Sequence, residues 1–418
     1  MSVRWLILAD DLTGAADCAI AFAKRGLHTT VRWQGEPEPA GEAVLSYDAN
    51  SRGLSAGEAA ARHAAVLAAL HRPGTRLVKK IDSTLRGQPL AELAATLAHL
   101  RARTGGAFGI LAPAFPGTGR TTEGGRIRVN GQRLEDTEVW RRDHTYASAD
   151  LPALLAEHGI GAERIGLDTI RAGADALHAA LADAAGRAAV AVCDAVSEDD
   201  LARLAAATCD DPSLSPGLFW IGSGGLAQAL AGACEAEAAP PSPLAAKGRG
   251  TLVVVGSLAA ASRAAARTLA DAPGVRHVPI DPALALAEPA ALGPAQEAIT
   301  AALRAGEDVL VEVAMSTDPD LAEGPAIADA LGRLLAPAAR HADGLMATGG
   351  ETAAALLAHC GIDGLRLIDE TEPGVSLGVT LGAFGVPIVT KAGAFGDGGT
   401  LLRALHRLRA IHRQGSHS

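Results

Sequence analysis

Short apolar runs alternate with small-residue segments of helical spacing along the whole 418-residue chain, and this alternation constrains the fold more than any other feature. Leu6–Ala9, Thr29–Trp33, Ala43–Ser46, Leu77–Ile81, Phe108–Ala112, Val190–Cys193 and Leu218–Ile221 read as strands. Segments between them, such as Ser55–Leu70 and Pro89–Arg101, read as helices. The pattern predicts a mostly parallel sheet with helices on both faces. It breaks from Glu235 to Gly250, where three prolines and then a Lys-Gly-Arg-Gly stretch interrupt all periodicity. Thr251–Val255 opens a second series that continues through Val309–Val313, Gly344–Ala347 and Val386–Thr390. The chain is also longer than one core usually organises. The expected architecture is α/β with two domains, residues 1–234 and 251–412, joined by a linker at 235–250. Each is a mostly parallel sheet flanked by helices, with the active site in the cleft between them. The tail from Arg407 reads as frayed.

Charge and cysteine usage narrow the function classes. A formal net charge of −10 leaves no basic excess to displace counterions, which argues against nucleic acid. Small anions remain suitable ligands, because a local cluster of Lys and Arg holds them against the overall sign. Cys18, Cys193, Cys209, Cys234 and Cys360 are odd in number, widely spaced and without a CxxC pair, as expected of thiols in a reducing compartment. The apolar run Trp5–Ala9 is too short for a signal peptide, and no run is long enough to cross a bilayer. The expectation is a cytoplasmic protein with small-molecule partners and no membrane or nucleic acid; homo-oligomerisation is left open.

The first strand ends in two adjacent carboxylates, Asp10 and Asp11, followed by Leu12-Thr13-Gly14 and a helix. Ligands of open α/β sheets sit at such strand ends. A helix cap accounts for one of the two acids and leaves the other unexplained. A second dense turn, Lys79-Lys80-Ile81-Asp82-Ser83-Thr84-Leu85-Arg86-Gly87, again follows a strand. Its guanidinium suits a carboxylate or phosphate, and its Ser, Thr and Asp suit the hydroxyls of a polyol. Asn50-Ser51-Arg52-Gly53 brings another arginine to the same edge. Ala112–Arg120, with two prolines and two glycines, reads as a rigid loop in which Arg120 offers a further cation and Phe115 is as well explained by packing. Asn130-Gly131 reads as a hairpin turn.

In the second half, Gly256-Ser257 and Thr348-Gly349-Gly350-Glu351-Thr352 each follow a strand and enter a helix. Paired glycines there let the backbone approach a phosphate that the helix N-terminus favours. Thr390-Lys391-Ala392-Gly393-Ala394-Phe395-Gly396 adds a lysine to a glycine-rich loop, a further way to hold phosphate. Glu372-Pro373-Gly374-Val375 is a turn just before it, and Gly222-Ser223-Gly224-Gly225 is a similar turn explained by a plain helix entry. Nothing matches a Walker motif or the dinucleotide fingerprint, which disfavours an oxidoreductase.

Together these stretches resemble the four-carbon acid sugar kinases, the threonate, erythronate and 3-oxotetronate 4-kinases. ADDLTGA (9–15), KKIDSTLRG (79–87), APAFPGTGRTT (112–122), GS (256–257), TGGET (348–352), EPGV (372–375) and TKAGAFG (390–396) carry the resemblance across both halves. It implies an acid-sugar domain followed by a nucleotide domain, with ATP and Mg²⁺ as cosubstrates. By motif, Asp11, Arg52 and Asp82 to Arg86 would bind the sugar acid, and Ser257, Gly349 to Thr352 and Gly396 would bind ATP. The residue reading adds Asp10 and Lys80 to the acid side and Lys391 and Gly393 to the nucleotide side. Asp11 or Asp82 would align or deprotonate the terminal hydroxyl; no residue is assigned to the metal. Ala16, Ala259, Ala260, Ala392 and Ala394 depart from the family pattern. The competing class is a sugar-acid sensor without chemistry, which leaves Lys391 and the glycine turns idle.

Overall fold

The computed structural model describes residues 4–33, 42–142, 145–209, 214, 216–236, 248–314, 323–391, 393 and 395–415. The chain forms two compact units, Met1–Ala238 and Ala239–Ser418. Most of the expected linker, residues 237–247, lies outside the described residues, as do Ala392 and Ala394.

The first unit carries β1 (Trp5–Ala9), β2 (Thr29–Arg32), β3 (Val44–Asp48), β4 (Arg76–Lys80), β5 (Phe108–Ala112), β6 (Arg120–Glu123), β7 (Arg126–Val129), β8 (Gln132–Arg133), β9 (Ala162–Ile165), β10 (Val190–Cys193) and β11 (Leu218–Gly222). Its main sheet runs β2-β3-β1-β4-β11-β5-β10-β9, every pairing parallel. Buried on both faces, such strands read as unbroken apolar runs; all five residues of β1 and of β5 are buried. β1 lies between β3 and β4, so the chain moves one way from β1 and later returns to its other side. That is a topological switch point, where the turns after β1, β3 and β4 gather.

Three helices frame this edge: α1 (Leu12–Ala23), α2 (Ala56–Leu70) and α3 (Pro89–Thr104). Ser55 and Glu58 form a capping box at the start of α2. Pro89 occupies the first turn of α3, where a missing N–H does no harm, and Gly105 closes it in the left-handed region. The expected hairpin at Asn130-Gly131 joins β7 to β8 with φ of 50° and 80°, the conformation of a type I′ turn.

The second unit carries β12 (Thr251–Val255), β13 (Val275–Ile280), β14 (Asp308–Val313), β15 (Gly344–Thr348), β16 (Ile362–Glu372), β17 (Val375–Gly382) and β18 (Pro387–Lys391), in the order β13-β14-β12-β15-β18-β17-β16. β17 is antiparallel to both neighbours; the other pairings are parallel. Sequence patterning passed over β9, β13 and the β16–β17 hairpin. In β13 and β16 charged, half-exposed residues interrupt the apolar signal. The expected frayed tail is corrected: the helix Thr400–Gly415 runs through Arg407, because Leu401, Ala404, Leu405 and Leu408 continue one buried face. Among the described residues no helix is long and apolar enough to cross a membrane, and none of the five cysteines forms a disulfide.

Candidate active site

In the first unit, the end of β1 supplies Asp10 and Asp11. Asp11 caps α1: its Oδ1 accepts from Gly14 N at 3.0 Å, and its Oδ2 accepts from Thr13 Oγ1 at 2.7 Å. The cap explains only part of the pair, because one guanidinium also spans both acids. Arg52 donates from Nε to Asp10 Oδ2 at 2.7 Å, and from Nη2 to Asp10 Oδ1 at 3.0 Å. It also donates from Nη1 and Nη2 to the two Asp11 oxygens, at 2.7 and 2.9 Å. Four of its five N–H groups are thus committed to carboxylates. The turn carrying Arg52 is seated on the Asp10 carbonyl, which accepts from Ser51 N and Arg52 N at 3.0 and 3.2 Å. Lys80 Nζ lies 3.5 Å from Asp10 and 3.8 Å from Asp11. A side chain at Gly14 would displace the Lys80 ammonium and the Asp11 carboxylate.

The turn after β4 is wound around Asp82. Its Oδ2 accepts from Thr84 N at 3.0 Å, from the Thr84 hydroxyl, and from Arg86 Nε at 3.1 Å. Arg86 Nη2 reaches Oδ1 at 2.8 Å, completing a bidentate pair whose arginine is 37% exposed. Leu85 sits at φ 61°, an outlier for a bulky residue. Its side chain is buried in the same core cluster as Leu8 and Leu45. Ser83 is half-buried on the same turn. Arg52 stands 3.8 Å from Asp82 and joins the two clusters.

Burial alone would raise the carboxyl pKa values here, but the cations decide the outcome. Arg52 and Lys80 hold Asp11 below the usual carboxylate range. Arg86 and Arg52 hold Asp82 well below it. Asp48, at the end of β3, is different: burial and the neighbouring Asp11 push its carboxyl up to about 8, against one hydrogen bond from Asn50 N at 2.6 Å. Three acids (Asp10, Asp11, Asp82) face three basic side chains (Arg52, Lys80, Arg86), with the raised carboxyl of Asp48 beside them. Burial lowers the pKa of Arg120, against the pull of Asp82. Asp48 was missed in the sequence because a single acid ending a strand has no distinguishing spacing.

In the second unit β12, β15 and β18 are neighbours, so the turns that follow them lie side by side. A side chain at Gly256 would strike the Thr352 hydroxyl, and one at Gly393 would meet Ser257 Oγ. A Cβ at Gly349, which sits at φ 90°, would stand 3.5 Å from Ser257 Cβ. Gly349 N also donates to the Lys391 carbonyl at 3.0 Å. Gly349 caps the helix Gly350–His359, leaving a glycine-lined helix N-terminus with Glu351 exposed in its first turn. Lys391 is fully buried and braces the loop, donating to Ser262 Oγ at 2.9 Å and the Gly393 carbonyl at 3.2 Å. Burial lowers its pKa to about 8. Gly396, at φ 79°, packs on Thr400, while Gly374 of the β16–β17 turn packs on Phe395. Ser262 carried no sequence signal, being one hydroxyl among alanines.

A model described as a sugar-binding N-terminal domain matches residues 5–230, and one described as a nucleotide-binding C-terminal domain matches residues 252–401. A D-threonate kinase of Cupriavidus necator is 46% identical over 415 residues, covering 96% of this chain and 97% of that one. The chain belongs to the four-carbon acid sugar kinase family. A 3-oxo-tetronate kinase of Cupriavidus necator is 31% identical, with 96% of each chain covered. A D-erythronate kinase of Heliobacterium modesticaldum is 29% identical, with 94% of each covered. A crystal structure from Salmonella typhimurium LT2 matches with a TM-score of 0.81 at 23% identity, over 96% of this chain and 98% of that one, and shows a shared fold. This family member is a sugar-acid kinase, and its two constellations fall one within each matched region.

Proposed function

We propose that this protein is a D-threonate kinase that transfers the γ-phosphoryl group of ATP to the terminal 4-hydroxyl. The observation that carries the choice of acid is the identity to two relatives in one organism, 46% for the D-threonate kinase against 31% for the 3-oxo-tetronate kinase. D-erythronate and the 3-oxo acid are the alternatives.

The acid would bind at the turns after β1, β3 and β4. Because Arg52 has most of its N–H groups on Asp10 and Asp11, the better-exposed Arg86, with Arg120 nearby, would take the substrate carboxylate. Lys80 and Ser83 would contact its hydroxyls. Asp11, 17% exposed, would align the 4-hydroxyl and accept its proton; Asp82, 9% exposed, is the next acid. Both are held ionised, which suits a phosphoryl transfer in which positioning and charge dominate.

ATP would enter as its Mg²⁺ complex. Mg²⁺ is usually held by one or two carboxylates together with substrate phosphates. Among the described residues no cluster of three or more metal-ligating side chains occurs, and Glu351 offers one carboxylate beside the glycine turns; the residues present fit that mode. Bound there, the ion supplies neutralisation of phosphate charge. Ser257, Thr352 and the amides of Gly350, Gly393 and Gly396 would cradle the phosphates, with Gly349 leaving room for their close approach and Lys391 charged beneath them. A coupled ADP-release assay with D-threonate, D-erythronate and 3-oxo-tetronate tests the reading. The highest kcat/KM is expected for D-threonate; a higher value for another acid replaces it, and no acid-dependent turnover rejects the activity.

A further inference from the structure

Beneath the acid-binding turns lies a second, fully buried polar cluster that the reaction scheme does not use. β4 ends in two lysines whose side chains point to opposite faces of the sheet, as successive strand residues must. Lys80 reaches Asp10 and Asp11 at the start of α1. Lys79 reaches the other face, where its Nζ lies 2.7 Å from Glu92 Oε2 on α3. Glu92 Oε1 also accepts from Ser51 Oγ at 2.6 Å and lies 3.3 Å from His63 Nε2 on α2. Ser51, His63 and Lys79 have no solvent exposure, and Glu92 has 1%.

The proton positions follow from the inventory of donors. Ser51 has one hydroxyl proton, committed to Glu92, so its 3.0 Å contact with His63 Nε2 requires that nitrogen to be the donor. Burial and the Lys79 charge hold His63 below its ordinary pKa, in keeping with a neutral Nε2–H ring. Lys79 has a proton to spare after Glu92, and it donates to the Lys80 carbonyl at 2.7 Å.

Each arm of this cluster ends one bond from the site. Ser51 precedes Arg52, and the Lys80 carbonyl opens the 81–87 turn. Both turns hold a non-glycine residue at positive φ, Asn50 at 48° and Leu85 at 61°. Such conformations persist only where surrounding contacts over-determine them. We infer that Glu92 is a positioning residue of the sugar-acid site, one carboxylate that seats the Arg52 turn through Ser51 and the Asp82–Arg86 turn through Lys79. A salt bridge built for stability alone would have no need of this location, since a buried pair is often replaced by apolar residues without loss. The inference rests on the assignment of the acid to these two turns.

Three variants test it, with KM measured separately for D-threonate and for ATP at a temperature where each is folded. Ser51→Ala is the smallest change and removes one arm. Lys79→Met with Glu92→Gln removes both buried charges together, so no unpaired ion remains to unfold the chain. Each is expected to raise the KM for the acid by about ten- to a hundredfold and to leave the KM for ATP unmoved. A merely structural cluster would move both constants together or neither, and an unchanged acid KM in both variants overturns the inference. Arg52→Lys is run beside them. If it raises the acid KM while the other two do not, only the role of Glu92 fails; if none of the three does, the acid site itself is misassigned.

Discussion

Replacing Arg52 by lysine or methionine probes the arrangement on which the acid site depends. The wild-type guanidinium makes four contacts between 2.7 and 3.0 Å to two adjacent carboxylates that are 3% and 17% exposed. Hydrogen bonds to charged groups contribute about 1.5–3 kcal/mol each and are not additive. Removing one partner of a buried ion pair costs about 3–5 kcal/mol, which we expect for Arg52→Met. Lysine keeps the charge but not the fork, so Arg52→Lys should lose about half as much. The pH dependence has a definite sign. Arg52 holds Asp11 below its unfolded value of 3.8, so this stabilisation is complete above that value and fades as the pH falls through the lower, folded pKa. The gap between wild type and Arg52→Met should therefore be widest near neutrality and close in acid. Urea unfolding at several pH values reads it, together with the KM for D-threonate. Unfolding free energies within about 0.5 kcal/mol of wild type, with an unchanged KM, would refute the bridging role.

Three further outcomes follow from individual groups. Asp11→Asn should lower kcat by ~10²–10⁴-fold; asparagine keeps the helix cap but not the charge paired with Arg52 and Lys80, so the melting temperature should fall too, and a normal kcat moves the catalytic role to Asp82. Asp48, raised to about 8, stays protonated in the fold where the unfolded chain is ionised, so it subtracts stability as pH climbs from about 4 to 8. Asp48→Asn should thus become progressively more stable than wild type across that range, and a pH-independent difference would contradict the raised value. Lys391, lowered to about 8, loses its charge above that pH, so kcat/KM for ATP should fall on the alkaline side. Lys391→Met should be weak at pH 7 and lack that limb; an identical pH profile in the variant removes Lys391 from the nucleotide site.

Much of this was legible because the chemistry is concentrated in consecutive residues at strand ends. Asp10-Asp11 and Lys79 to Gly87 stand out as dense mixed-polarity turns, and the order β3-β1-β4 explains why they and Arg52 meet. The glycines 256, 349 and 393 were visible as turns, but only the structure gives the reason for each, a neighbouring Thr352 or Ser257 where a side chain would stand. What stayed hidden depends on long-range partners. Arg52 reads as a free ligand for a substrate carboxylate until Asp10 and Asp11 are seen to occupy it. Glu92 and His63 sit within buried helix faces beside Leu93 and Leu67, where spacing alone marks them as core positions. The β16–β17 hairpin escaped because Asp363, Arg366 and Asp369 break its apolar alternation.

A 4-kinase forms one new bond, the ester between phosphate and the terminal oxygen of the acid. Phosphorus–proton correlation NMR on the product formed from D-threonate and ATP observes that bond directly. The expected result is one phosphomonoester whose phosphorus couples to the two C4 methylene protons, formed in step with ADP. Coupling to a methine proton instead, or ADP accompanied only by free phosphate, would contradict it.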